Sequence, residues 1–325
     1  MKVLMITSEW PTVDRPHLVP FIVRQVEFLR RAGIELEVFH YRGNQSPLNY
    51  LLAWLKLRLK LLRSDYDLIH AQWGQSGLLA FPKKLPLVVT FRGDDVYGII
   101  DDATGHYTRK GKALQRVSRF VARRADQVIL VSAAMADLLP CATYHVIPSG
   151  VDLDLFQPIP QAEARARLDL PADVPLVLFG GSPRVRRKRY DLAVTVVDIV
   201  KQKRPEVQLI ALQNVPHAAV PLYMNACDAL LFTSAHEGSP NVVKEALACN
   251  LPIVSVAVGD VRERIAEVAG CYLCENPDPA ALAEKLDHVL QQRQRTNGRT
   301  TVQTIDEQYT VQQTIAVYKA ALEAK

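Results

Sequence analysis

Short runs of aliphatic and β-branched residues alternate with amphipathic segments along almost the whole chain. KVLMIT is followed by a helix pattern from about Phe21 to Ala32 that Gly33 closes, then come ELEVFHY, a second helix pattern, DLIHAQ, LPLVVTF and QVILVS. Strands that take turns with helices in this way build βαβ units, and βαβ units build a parallel, doubly wound sheet. After VIPSGVDLDLF the rhythm restarts with VPLVLFGG, a helix pattern from about Tyr190 to Lys203, VQLIAL, DALLFTS, another helix, LPIVSV and a last strand near GCYLC. Prolines cluster between Pro148 and Pro160, as befits a hinge between domains. The expected fold is therefore α/β, with two Rossmann-like doubly wound parallel-sheet domains. Their expected bounds are 1–155 and 156–304, with a final helical stretch over 305–325.

Length agrees, since 325 residues with 49% hydrophobic content suit two domains better than one. Five cysteines, without the spacing of a disulfide framework, point to a reducing compartment. Cys271-Tyr-Leu-Cys274 reads as part of a buried strand rather than half of a zinc site. MKVLMITSEW reads as a first strand, being too short in apolar residues for a secretory segment. No run approaches the ~18–20 apolar residues of a membrane span, so a cytoplasmic protein, soluble or peripheral on a membrane, is expected. The net charge of +5 favours anionic partners without choosing among them.

Residues 50–63, YLLAWLKLRLKLLR, place Lys56, Lys60 and Arg63 at helical spacing beside Leu52, Trp54, Leu55, Leu59 and Leu62. Two readings stay open. The helix lies against anionic lipid, or it packs on the core and leaves a solvated cationic face.

The chemistry concentrates in the second half. DALLFTS ends at Ser234, AHEG follows, Ser239 is placed to cap a helix with Pro240 at its first position, and Asn250 is placed to stop it. LPIVSV comes next, which puts Glu237, Gly238 and Ser239 at the C-terminal end of a parallel strand, where open α/β sheets bind ligands. A helix N-terminus there offers free N–H groups and a partial positive charge, so a phosphate-bearing ligand is expected. Glu245, eight positions after Glu237, projects either to solvent or into the crevice. A second anion site is expected where Gly180-Gly181 leads into SPRVRRKRYDLA, with Lys188 just ahead of the helix.

These stretches resemble the retaining family 4 glycosyltransferases of the GT-B fold. The resemblance rests on EGSPNVVKEALACNLPIVSVAVGDVRE with its E-x7-E pair, on VIPSGVDLDLF, and on GG followed by KRYDLA; LIHAQWG and VVTFRGDDV resemble the acceptor-side loops. It implies two domains facing a cleft and a last helix, from about Ile305, that crosses back to the first domain. It implies a nucleotide-sugar donor and a glycan or lipid-linked acceptor in cell-surface polysaccharide synthesis. Lys188 would contact the donor diphosphate, Glu237 the donor sugar and Glu245 the ribose. Gly181, Ser182, Arg184 and the stretch Gly238, Ser239, Pro240, Asn241 would complete the donor site, and His70, Arg92 and Asp94 would serve the acceptor. The base is expected near Asn214 to His217.

This chain departs from the pattern at four places. SEWPTVDRPHLVP has no glycine where a Gly-Gly phosphate loop is usual, Arg92 stands where a histidine is frequent, Ser182-Pro183 replaces an arginine, leaving Arg184 as its substitute, and the stretch from Leu209 to Asp228, which holds the expected base pocket, is shorter than usual. Asp94-Asp95 and Asp101-Asp102 raise the alternative of a metal, but adjacent residues rarely aim both carboxylates at one ion. No essential metal and no nucleic acid are expected. The competing functions are a nucleotide-sugar epimerase, a glycosidase, and a non-catalytic nucleotide-sugar-binding subunit. A nicotinamide dehydrogenase lacks its glycine fingerprint here.

Overall fold

A computed structural model describes all residues except 17, 44–45, 64, 100–105, 140–142 and 325; Asp101, Asp102 and Cys141 thus lie outside the described residues. The first half runs β1 (Lys2–Thr7), α1 (Pro20–Arg31), β2 (Glu35–His40), α2 (Pro47–Leu62), β3 (Leu68–Gln72), α3 (Gly74–Leu78), β4 (Leu87–Phe91), α4 (Asp94–Tyr97), α5 (Arg109–Ala122), β5 (Gln127–Leu130) and β6 (His145–Val146). The second runs α6 (Gln161–Arg167), β7 (Leu176–Phe179), α7 (Tyr190–Lys201), β8 (Gln208–Ala211), α8 (Val220–Ala226), β9 (Ala229–Phe232), α9 (Asn241–Ala248), β10 (Ile253–Val256), α10 (Val261–Ile265), β11 (Tyr272–Cys274), α11 (Pro279–Gln292) and, last, α12 (Glu307–Glu323).

The chain divides into two compact units, Met1–Gly150 with Glu307–Lys325, and Val151–Asp306. The division thus falls a few residues ahead of the expected 155. Packing explains the shift. A side chain on Gly150 would collide with Thr310 and Glu307 of α12, whereas Val151 and Phe156 are wholly buried in the core of the second unit.

In the first unit six parallel strands lie in the order β2-β1-β3-β4-β5-β6, and in the second five lie in the order β11-β10-β9-β7-β8. Central strands such as β4, β7 and β9 are buried at every residue, which is why they read as near-continuous apolar runs rather than alternating ones. Alternate side chains still feed opposite layers. Leu4 and Ile6 join the layer under α2, α3 and α5, while Val3 and Met5 join the layer under α1 and α12. Helix α12 is a full member of this second layer through Val311, Ile315, Val317, Tyr318 and Ala321. A buried ion pair, Arg24 Nε to Glu307 carboxylate at 3.6 Å, ties its start to α1.

Strand order reverses between β1 and β3 in one sheet and between β7 and β9 in the other. Such a reversal leaves a crevice at the C-terminal strand ends, the general ligand position of open α/β sheets. The loops after β7 and β9 carry the cationic run and the Glu237 segment.

Candidate active site

The loop after β7 makes one tight turn, Arg186–Lys188, before Arg189 adopts a left-handed conformation (φ 51°) and starts α7. That turn separates the cations by role. Arg189 faces the neighbouring loop and donates to the carbonyls of Thr233 (2.6 Å) and Ser234 (3.0 Å). The Thr233 hydroxyl donates back to the carbonyls of Lys188 (2.8 Å) and Arg189 (3.0 Å), and the Ala235 N–H donates to Arg187 O (2.8 Å). The two loops are therefore held as one piece.

On that piece Lys188 Nζ and Arg187 NH1 each lie 2.6 Å from Glu237 Oε1. Burial works to raise the Glu237 carboxyl, but the Lys188 and Arg187 charges outweigh it and hold it below the ordinary glutamate range. The Lys188 stem runs beside Gly181, and its ammonium lies 5.3 Å from the centre of the Phe232 ring. Arg187 was not distinguished within the cationic run by the sequence. Arg184, named there as a substitute cation, is exposed and away from Glu237, its N–H resting on Ser182 Oγ at 3.3 Å.

Helix α9 begins at Asn241, one residue later than expected, with Pro240 at the cap position and no capping side chain. Ser239 does not cap it. Its hydroxyl donates instead to Asp260 Oδ2 at 2.8 Å, a carboxylate that Arg264 also holds. No acidic residue stands in the first turn of α9, so the positive helix end is left for an anion. Asn241 Oδ1 is buried at this end without a hydrogen-bond partner among the described residues. Gly259 (φ +57°) backs the loop, and a side chain there would run into the carbonyls of Gly238 and Glu237. Asn250 ends the helix in a left-handed conformation (φ 56°).

Glu245 is 6% exposed and faces inward, where its Oε1 meets His217 Nε2 at 3.0 Å. The His217 ring in turn packs edge-on against Phe156. Of the two orientations open to Glu245, the solvent-facing one is thereby excluded, and the stretch near Asn214 to His217 lies beside it.

In the first unit, His70 cannot serve an acceptor. It is wholly buried, with Nδ1 at 2.6 Å from Tyr318 Oη and Nε2 at 2.8 Å from Thr90 Oγ1. Burial, helped by the nearby Arg92 charge, pushes its imidazole down to about 3. It is a core residue linking β3, β4 and α12. Arg92 is half-buried beyond the end of β4 and donates to Gln72 Oε1 (2.8 Å), Ser149 Oγ (2.7 Å) and Gln25 Oε1 (3.0 Å), over the ring of Phe21. Burial pushes it down to about 10 against the opposing pull of the Asp95 and Glu307 charges, so it remains cationic at neutral pH. Asp94 is exposed at the first residue of α4. Asp95 is buried, and its carboxylate accepts from the N–H groups of Gly74, Arg92 and Gly93. In the glycine-free first loop Val19 takes the left-handed conformation (φ 45°) at the start of α1. Cys271 and Cys274 are free thiols.

In this two-unit α/β chain, cations, a carboxylate and an open helix end meet at the β7–β9 reversal, an arrangement suited to an anion. Residues 2–155 match the family described as Glycosyltransferase Family 4, and residues 173–301 match Glycosyl transferases group 1. The chain belongs to the family 4 glycosyltransferases and has the GT-B-type pair of Rossmann-like domains. It is 28% identical over 280 residues to a D-inositol 3-phosphate glycosyltransferase of Xylanimonas cellulosilytica, covering 72% of this chain and 66% of the relative. The chain thus spans just under two thirds of that relative's length. It is 26% identical to TuaC of Bacillus subtilis, named for teichuronic acid biosynthesis, over 80% of this chain and 82% of that one. Sucrose-phosphate synthase from Thermosynechococcus elongatus has the same fold, with a TM-score of 0.82 at 19% identity over all of both chains.

Proposed function

We propose that this protein is a retaining glycosyltransferase that moves a sugar from a nucleotide-diphosphate donor to a glycan or lipid-linked acceptor in cell-surface polysaccharide synthesis. The observation that carries this reading is the meeting of Lys188 and Arg187 with Glu237 beside the uncapped N-terminus of α9. In the donor complex the diphosphate takes the place that Glu237 holds against the two cations, and the α9 amides bind the distal phosphate. The Gly181-Ser182 turn lines the same side. The released Glu237 carboxylate accepts from donor sugar hydroxyls, and Asn241 Oδ1 gains the partner it lacks. Glu245, oriented by His217, accepts from the ribose hydroxyls.

Negative charge builds on the diphosphate as the glycosidic bond breaks. Lys188, Arg187 and the helix end are fixed where it appears, so they favour the transition state over the ground state. They supply the positive charge that a divalent ion provides elsewhere, and transfer is expected to persist in chelator. Arg92 and Asp94 are assigned to the acceptor, and the protein acts at the inner face of the membrane.

Calorimetric titration with a panel of nucleoside diphosphates and their sugars tests the donor assignment. A ligand at 100 times its Kd stabilises by about 2.7 kcal/mol in a parallel melt. Binding that survives replacement of Lys188 and Arg187 by alanine would remove the diphosphate from this site.

A further inference from the structure

The outer layer of the first unit carries two stripes that its core does not use. On α2, Ala53 and Leu57 are buried and Leu61 and Trp54 pack against the core, while Leu48, Leu51, Leu52, Leu55, Leu59 and Leu62 lie 45–74% exposed. Their spacing of three, one, three, four and three residues puts all six on one side of the helix, opposite the buried side. An exposed apolar face of this kind is uncommon in a monomer and marks an interaction surface.

The sequence placed Lys56, Lys60 and Arg63 on this same helix; Lys56 and Arg63 are exposed there, and the structure draws Lys60 away. Lys60 is ion-paired to Glu37, and Arg58 turns to donate to the carbonyls of Pro82 and Leu79. Trp54 points inward and donates to Phe81 O at 2.7 Å. The main cationic stripe is on α5. There Arg109, Lys112, Arg116, Arg119 and Arg123 follow one another at steps of three and four residues, all exposed, opposite the buried Gly111, Ser118 and Ala122. No carboxylate among the described residues pairs with any of the five, and neither α2 nor α5 contains an acidic residue.

Both helices cover the same face of the sheet, since Ala53 and Leu57 share a core layer with Val121 and Ala122. The Phe81-Pro82 segment joins them, receiving Trp54 and Arg58 from α2 and stacking edge-on with Phe120 of α5. Six leucines and five cations therefore look outward from one layer.

We propose that this α2–α5 layer docks on a bilayer surface rich in anionic headgroups, the leucines entering the interface and the α5 cations meeting the phosphates. Charge selects the occupant. An apolar protein partner has no use for five uncompensated cations alongside the leucines, whereas an anionic bilayer satisfies both. The inference deepens the membrane placement proposed above and rests on it only for the location, because the docking face belongs to the first unit and the donor-site residues to the second.

The full-length protein is sedimented with vesicles of phosphatidylcholine alone and with phosphatidylglycerol added, at low and high salt. Binding is expected with the anionic vesicles only and is expected to weaken with salt. Lys112→Gln, Arg116→Gln and Arg123→Gln together should weaken it roughly a hundredfold, and Leu55→Ser with Leu59→Ser should weaken it by roughly tenfold or more. Donor titration of each variant verifies that it is folded; the glutamine set changes exposed residues alone and stands if the serine pair does not fold. Equal binding to neutral vesicles, or none to anionic ones, overturns the proposal. So does a dimer that the serine pair converts to monomer while vesicles leave the wild type in solution. A protein that transfers sugar to a soluble acceptor yet ignores vesicles would refute the docking face and leave the transferase reading standing.

Discussion

Replacing Lys188 by alanine tests the division of labour in the donor loop. The Lys188 side chain is 17% exposed with its ammonium 2.6 Å from Glu237, and in the proposed donor complex it would face the leaving diphosphate. Removing one preorganised donor aimed at developing charge typically costs about 2.7–4 kcal/mol, or 10² to 10³ in kcat. The fold should survive for two structural reasons. Arg187 stays at 2.6 Å from Glu237, so the carboxylate is not abandoned in a buried place. The bonds that Thr233 makes to this loop run to the backbone carbonyls of Lys188 and Arg189 and do not involve the lost side chain. The assay is initial-rate turnover at saturating donor, with a thermal melt beside it. A kcat within a few fold of wild type in a folded protein refutes the reasoning, because the diphosphate charge would then be met elsewhere.

Two further perturbations separate binding from structure. Glu237→Gln frees both cations from their present partner, so the free nucleoside diphosphate should bind roughly ten- to a hundredfold tighter, from the ~1.5–3 kcal/mol of a charged hydrogen bond, while sugar transfer falls; calorimetry showing weaker diphosphate binding would count against the competition. His70→Gln tests the core histidine by its pH signature. His70 is held neutral, with its folded value far below the unfolded one of about 6.5, so below that value the unfolded chain binds the extra proton. Its contribution is complete above pH ~6.5 and is lost progressively as pH falls toward about 3. The wild type should therefore lose about 1.4 kcal/mol per pH unit more than the variant between pH 6 and 4, and parallel urea-denaturation curves at those pH values would contradict it.

The βαβ rhythm was legible because parallel strands buried on both faces, such as LVVTF and ALLF, leave unbroken apolar runs between helix patterns. The Glu237 and Glu245 segments were legible for a local reason, since a strand end, a glycine and a helix start suffice to place them. What lay hidden depended on conformation or on distant chain. The run RVRRKR does not show which cation points inward, because the left-handed Arg189 and the tight turn before it set the directions. Ser239 had the chemistry of a cap, but Asp260, 21 residues on, took its hydroxyl. His70 looked like an acceptor group until Tyr318, 248 residues away, closed over it. For Trp54 and Lys60 the helix pattern leaves the lipid-facing and core-packed readings open, and only the contacts with Phe81 and Glu37 decide that they turn away.

The central claim is transfer from a nucleotide sugar with retention, and product analysis with an isotope-labelled donor tests it most directly. The account predicts a free nucleoside diphosphate and a labelled, extended acceptor whose new linkage keeps the donor's anomeric configuration. A free labelled sugar, an isomerised nucleotide sugar, or an inverted linkage would contradict it.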